Sequence, residues 1–330
     1  MPIFLPFETN RLAPPSSDAL WLTHGLEDLP IKEWAQYCHH ITPWRGNFLC
    51  FAAAGLRCFP SLPDKGALYA GAILQLGKSV AYNKNRFLDL LARLSAGGFM
   101  VVAGGNRTGV KSFLMWAQKI APLLGRESKN HGQVFWLERP AIVDFRMLAT
   151  LYDPPCYFGD GFVTQAGMFS HGKVDKGSEL LLPFIDKVAF GRVADLGAGW
   201  GYLSHAILRA PQLKVLDLYE ADYEALGAAE QRLAATIRPV HFYWHDVVVE
   251  EIITVYDTVV MNPPFHTGQR RDIGLGKYFI DVAAKVLKRG GRLLMVANRQ
   301  LPYEALLNER FRQVYCHQQG HGFKVLEAHR

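Results

Sequence analysis

The chain has 330 residues, 49% of them hydrophobic and 20% charged, a balance that describes a folded globular protein with material for two domains and argues against disorder. No stretch approaches the about 18 uninterrupted apolar residues of a membrane span, and the first ten residues carry Glu8 but no basic region leading into an apolar run, so neither a span nor a secretory signal is expected and the protein is placed in the cytoplasm. The net charge of +6 lies wholly in the first half: residues 1–150 hold 16 Lys/Arg against 10 Asp/Glu and residues 151–330 hold 20 against 20, so the first half is the part suited to neutralising the phosphates of a polyanion.

Five cysteines (38, 50, 58, 156 and 316) are odd in number and widely spaced, which argues against a disulfide framework. Cys38-His39-His40 has the residue types of a metal site, but adjacent side chains diverge on either regular element, so no metal is expected. Further on, Phe87, Leu90, Leu91 and Leu94 share the i, i+3, i+4, i+7 spacing of a helix face, followed by Gly97-Gly98 and the apolar run Phe99–Ala103. The run Gly104 to Ser112 comes close to a phosphate-binding loop, but Val110 separates Gly109 from Lys111. A lysine displaced by one residue no longer points at the phosphates, so nucleotide hydrolysis is not expected. Residues 140 to 180 carry Asp153-Pro154-Pro155 and Gly159-Asp160-Gly161, which read as a loop connection.

In the second half, Arg192 to Leu196 reads as a strand, Gly197-Ala198-Gly199-Trp200-Gly201 as a glycine turn, and Tyr202 to Leu208 as a helix. Glycine at every second position with Tyr202 next does not fit the dinucleotide pattern G-x-G-x-x-G, so hydride chemistry is disfavoured. The spacing suits a cofactor whose amino-acid tail passes close to the backbone, with Asp195 at the strand end organising its ammonium group, and S-adenosyl-L-methionine fits that description. A second strand, Leu213 to Tyr219, ends at Glu220, whose carboxylate suits both hydroxyls of a ribose. A third, Pro239 to His245, ends at Asp246, an acceptor for the adenine amine.

The fourth strand, Val255 to Met261, runs into Asn262-Pro263-Pro264-Phe265. Each proline fixes its φ and lacks an N–H, and the residue before it is pushed extended, so the segment is a stiff strip that mostly accepts hydrogen bonds. The Asn262 side-chain oxygen and the Pro263 carbonyl are placed to take the two N–H groups of a planar amine while Phe265 stacks on the ring that bears it; His266 next to them is a substrate contact. Then Ile280, Ala283, Ala284, Leu287, Gly290-Gly291 and Arg292 to Ala297 echo the Phe87–Ala103 segment. Each copy reads as a helix closed by glycines and a strand of a parallel sheet covered on both faces. Two α/β domains in tandem are therefore expected, 1–150 and 151–330 with a linker near 151–175, the first a duplicate without the chemistry.

Asp195-Leu-Gly-Ala-Gly-Trp-Gly, Glu220 and Asn262-Pro-Pro-Phe-His266 resemble the class I S-adenosylmethionine-dependent methyltransferases. Met168-Phe169-Ser170, Asp175-Lys176-Gly177-Ser178, His266-x-Gly268 and Gly105-Asn106-Arg107 narrow the resemblance to the RsmC/RlmG family of ribosomal RNA guanine-N2 methyltransferases. It implies two Rossmann-like methyltransferase domains, the N-terminal one degenerate and helping to bind RNA, the C-terminal one catalytic with a seven-stranded, mostly parallel sheet and helices on both faces. It further implies that Asp195, Gly197, Gly199, Gly201, Glu220, Asp246 and Asn262 bind cofactor, that Asn262 and Pro263 hold the amine with Pro264 in the same catalytic strip, and that Phe265 stacks a guanine. The partner implied is ribosomal RNA or the small ribosomal subunit, with 16S rRNA as the leading substrate. The alternatives are large-subunit rRNA, adenine-N6 methylation, protein glutamine-N5 methylation, and a non-enzymatic assembly factor. Ala198 and Ala166 depart from the family pattern, where cysteine and proline are frequent.

Overall fold

Short apolar runs separated by helices build two sheets, and each sheet has its own core. A computed structural model describes residues 2–28, 32–63, 68–129, 131–159, 161–264, 266–267, 270–271 and 273–330. The chain divides into two compact units, Met1–Pro155 with Gln165–Gly167, and Cys156–Thr164 with Met168–Arg330.

In the first unit, strands β1 (Trp21–His24), β2 (Cys38–Ile41), β3 (Arg57–Phe59), β4 (Tyr69–Gln75), β5 (Leu94–Gly105), β6 (Leu123–Lys129) and β7 (Gly132–Glu138) pair in the order β3-β2-β1-β4-β5-β7-β6. All pairs are parallel except those made by β7. The helix Val80–Leu91 is capped by Ser79, which accepts from the Tyr82 N–H, and it buries Phe87, Leu90 and Leu91 of the expected face with Leu88 beside them, whereas Leu94, counted with that face, begins β5.

The second unit opens with a hairpin, β8 (Cys156–Phe158) and β9 (Phe162–Thr164), where the sequence suggested only a loop. Its reason is aromatic: Phe158 and Phe162 both pack edge-on against Trp200 of the glycine turn, at ring-centroid distances of 5.3 and 5.0 Å. The sheet strands follow: β10 (Gly191–Leu196), β11 (Leu213–Glu220), β12 (Val240–Trp244) and β13 (Tyr256–Met261). After β13 come the two-residue strands β14 (His266–Thr267) and β15 (Arg270–Arg271), then β16 (Leu287–Asn298), β17 (Gln313–Gly320) and β18 (Phe323–His329). The order β12-β11-β10-β13-β16-β18-β17 repeats that of the first unit, with only β18 antiparallel to its neighbours.

The central strands of this sheet are covered on both faces, with Asp195 and Asp217 buried among their apolar residues, while the edge strands β12 and β17 are partly open to solvent. Val259 and Met261 face the helices Ile273–Val286 and Glu304–Arg310, while Val260 faces Lys176–Val188, Tyr202–Ile207 and Tyr223–Leu233. Each such fully buried side chain stabilises the fold by about 1.5–3 kcal/mol.

The paired glycines do not close helices as expected. The helices end at Leu91 and Val286, and the glycines bend β5 and β16 instead, at the register shifts beside Tyr69 and Tyr256. Gly97 and Gly290 hold φ of +74° and +79°. A Cβ on Gly98 or Gly291 would lie 3.0 or 3.1 Å from the carbonyl oxygen of the neighbouring strand, at Ala70 or Asp257. The same bend at the same place in both units is the structural form of the internal repeat.

Candidate active site

Register alone brings the predicted residues together. Leu196 is level with Tyr219 on one side and Met261 on the other, so the residues that follow, Gly197, Glu220 and Asn262, form one row at the carboxyl edge of three adjacent parallel strands. Open parallel sheets bind ligands at this edge, where the strand order reverses.

The glycine turn needs its glycines. Gly197, Gly199 and Gly201 hold φ of +73°, +56° and +87°. A Cβ on Gly201 would come within 2.9 Å of Leu233 and 3.0 Å of Ala229 in the helix below, whereas one on Gly199 would meet nothing within 4 Å. Gly201 is therefore a packing glycine, and Gly199 leaves open space above the turn. Glu220 fastens the turn: its Oε2 accepts from the Gly199 N–H at 2.7 Å and its Oε1 from the Asp222 N–H at 2.8 Å. Each carboxylate oxygen keeps a further lone pair for a ligand hydroxyl.

Asp195 lies one residue below the row and is fully buried. Its Oδ2 accepts from the Ser204 hydroxyl at 2.6 Å, and its Oδ1 has no partner. Burial raises its pKa to about 7; the Ser204 bond opposes the shift and the Glu220 charge adds to it. Burial likewise raises Glu220, against the backbone N–H groups that it accepts, and raises Asp222 to about 7 with help from Glu220 and Glu224. Burial thus holds three neighbouring acids above their ordinary range at one strand edge.

Asn262 shows the second orphaned oxygen. Its Nδ2 donates to Asp175 Oδ2 at 2.9 Å and to Ser178 Oγ at 2.8 Å, while its Oδ1 is buried without a partner. An unpaired buried acceptor costs about 1–3 kcal/mol, and two of them lie beside this turn, as Thr42 Oγ1 and Gln75 Oε1 do at the matching edge of the first unit. Pro263 is buried and Pro264 exposed. Phe265 and the side chain of His266 lie outside the described residues.

Asp246 is less central. Trp244 is level with Glu220, so Asp246 stands two residues past the row, and its Oδ1 accepts from the Val248 N–H at 2.9 Å as a turn residue does.

The cavity here, of about 40 Å³, is lined by Gly197, Gly199, Asn262, Phe169, Asp175 and Ser178 among others. The last three received no role from sequence reasoning. Phe169 is 63% exposed, and its carbonyl accepts from Trp200 Nε1 at 2.9 Å, which ties the Met168-Phe169-Ser170 segment to the glycine turn. Among the described residues no group of three or more His, Cys, Asp or Glu is arranged to hold a metal ion, and no helix is long and apolar enough to cross a membrane. His40 instead bonds Thr23 and the Ala35 carbonyl, and His39 bonds Tyr69.

Comparison with known proteins agrees with this geometry. The model of the methyltransferase small domain family matches residues 160–327. Ribosomal RNA small subunit methyltransferase C of Pseudomonas syringae pv. tomato is 32% identical over 278 residues, 80% of each chain. The protein of that name from Alteromonas mediterranea is 33% identical over 259 residues, 73% of this chain and 69% of its own. The solved structure of the T. thermophilus 16S rRNA N2 methyltransferase RsmC, in complex with AdoMet and guanosine, superimposes with a TM-score of 0.78 at 25% identity, covering 97% of this chain and 90% of that one. The chain belongs to the methyltransferase small domain family and, within it, to the RsmC-type ribosomal RNA methyltransferases.

Proposed function

We propose that this protein transfers a methyl group from S-adenosyl-L-methionine to the exocyclic N2 amine of a guanine in 16S ribosomal RNA, and that the small ribosomal subunit or its precursor presents that guanine. The observation that carries the proposal is the buried, unpaired Asn262 Oδ1 in the row with the glycine turn, in a chain of this family. The cofactor supplies a methyl group on a sulfonium centre, whose positive charge disappears as the methyl leaves.

The residues then have separable tasks. Gly197 and Gly199 let the backbone approach the cofactor's amino-acid tail while Gly201 seats the turn on the helix below, Asp195 Oδ1 faces the ammonium group, and Glu220 takes the ribose hydroxyls. Asp246, whose Oδ1 holds its own turn, offers its second oxygen to the adenine amine. Asn262 Oδ1 and the Pro263 carbonyl accept the two N–H groups of the guanine amine. Its lone pair, otherwise delocalised into the ring, is thereby localised toward the methyl. Phe265 stacks the base, His266 contacts the substrate beside it, and Pro264 stiffens the strip. A paired guanine has its amine shielded, so the base is taken unpaired or flipped. We assign the first unit, with its excess of basic residues, to RNA binding.

The test is incubation with radiolabelled cofactor and either 16S rRNA or precursor small subunits, followed by digestion to nucleosides. Label in N2-methylguanosine is expected; no label in 16S rRNA while a parallel incubation with 23S rRNA is labelled, or label confined to N6-methyladenosine or to protein, overturns the proposal.

A further inference from the structure

The segment Asp175-Lys176-Gly177-Ser178 has no part in the assignment above, yet it surrounds Asn262. Asp175 is the N-cap of the helix Lys176–Val188, and its Oδ2 accepts from the Ser178 N–H at 2.9 Å. The same oxygen accepts one N–H of the Asn262 amide, and Ser178 Oγ accepts the other. Both hydrogens of that amide are thus taken. Gly177 makes this possible, because a Cβ there would lie 2.9 Å from Asp175 Oδ2 and 3.0 Å from the Phe323 ring. Ser178 is 7% exposed, and all three polar residues line the same cavity.

An amide has two faces that differ only in which atom donates, and its environment must choose between them. A carboxylate only accepts. With the amide turned over, Asn262 Oδ1 would face Asp175 Oδ2 and an N–H would face the substrate, where it would repel the amine it has to hold.

We propose that Asp175 and Ser178 are positioning residues for methyl transfer: they lock the Asn262 amide with its oxygen turned to the substrate amine, and Gly177 keeps the space that the lock needs. This rests on the role of Asn262 assigned above. Neither residue touches the reacting atoms. Their effect is to prepay the orientation of an acceptor that would otherwise sample both faces.

Four variants and one pair test this, each read by kcat, by KM for RNA and by cofactor affinity from calorimetry. D175S keeps a capping hydroxyl but falls short of Asn262, and S178A removes one acceptor at nearly constant volume. We expect kcat to fall about 100-fold in D175S and about tenfold in S178A, with cofactor affinity and unfolding temperature retained. N262D sets two carboxylates against each other. The exchange D175N/N262D restores a donor at 175 and an acceptor at 262, and is expected to recover at least about tenfold over N262D. A role confined to capping the helix predicts no such recovery. Parental kcat in D175S and S178A, or an exchange no better than N262D, overturns the inference while an inactive N262A leaves the assignment of Asn262 standing. An active N262A overturns that assignment itself. If D175S fails to fold, S178A and the exchange still decide.

Discussion

The two sheets have the same strand order and the same glycine bend, but their carboxyl edges differ residue by residue. His24, Ile41 and Leu74 are level in the first unit as Leu196, Tyr219 and Met261 are in the second, so Gly25, Thr42 and Gln75 occupy the places of Gly197, Glu220 and Asn262. Thr23 replaces Asp195 and spends its hydroxyl on His40 at 2.8 Å. Glu27 stands where Gly199 would, two residues past the first glycine, and His24 is buried, which lowers its pKa to about 3 and keeps it neutral. Room is not what the first unit lacks: its edge holds a cavity of about 160 Å³, against about 40 Å³ in the second. It lacks the buried acids and the proline strip. The apolar strands that make the sheet and the edge residues that make the chemistry are thus separate properties of one fold, and the second can be lost while the first persists.

That contrast makes the substitutions unequal. N262A should lower kcat by about 100- to 1,000-fold, since it removes a preorganised acceptor, whereas Q75A at the matching place should leave turnover at the parental rate in the same methylation assay. For cofactor affinity, E220Q should cost about 2 kcal/mol, roughly thirtyfold in Kd, and T42A nothing; calorimetry should give one cofactor per chain throughout. F265A should raise KM for RNA about tenfold through loss of one stacked base, without moving cofactor affinity.

The smallest effect is a pH dependence. In the folded chain Asp195 and Asp222 titrate near 7, above the ordinary 3.8 of an aspartate, so between these values the unliganded fold binds protons that the unfolded chain does not. These groups therefore favour the fold most at low pH, and that contribution is lost as pH rises through about 7. Cofactor binding has the opposite sign, because an ammonium pairs only with the ionised carboxylate. Affinity should rise by up to about tenfold from pH 6 to pH 8, and D195N should flatten the profile.

The row at the carboxyl edge was legible in the sequence because each of its strands closes on apolar residues (Leu196, Leu218-Tyr219, Val260-Met261) and is followed by a residue of distinct chemistry, and register in a parallel sheet does the rest. The first unit's leading strands were not. Trp21–His24, Cys38–Ile41 and Arg57–Phe59 are three or four residues long, and a lone glycine, Gly25, follows only the first of them. Asp246 looked like Glu220 in sequence, but β12 ends at Trp244, level with Glu220, and Asp246 lies two residues beyond it, where a turn takes its Oδ1. Gly97-Gly98 and Gly290-Gly291 follow helices by too few residues for spacing alone to separate a cap from a strand bend. The contact of Asp175 with Asn262 spans 87 positions and no local pattern announces it.

The central claim is tested most directly by a crystal structure of the protein with S-adenosylhomocysteine and guanosine. The account predicts one nucleoside per chain, its N2 within hydrogen-bonding distance of Asn262 Oδ1 and the Pro263 carbonyl and facing the sulfur held over the glycine turn. A guanosine bound with its N2 turned away from Asn262, or a cofactor seated at the edge formed by Gly25, Thr42 and Gln75, would contradict it.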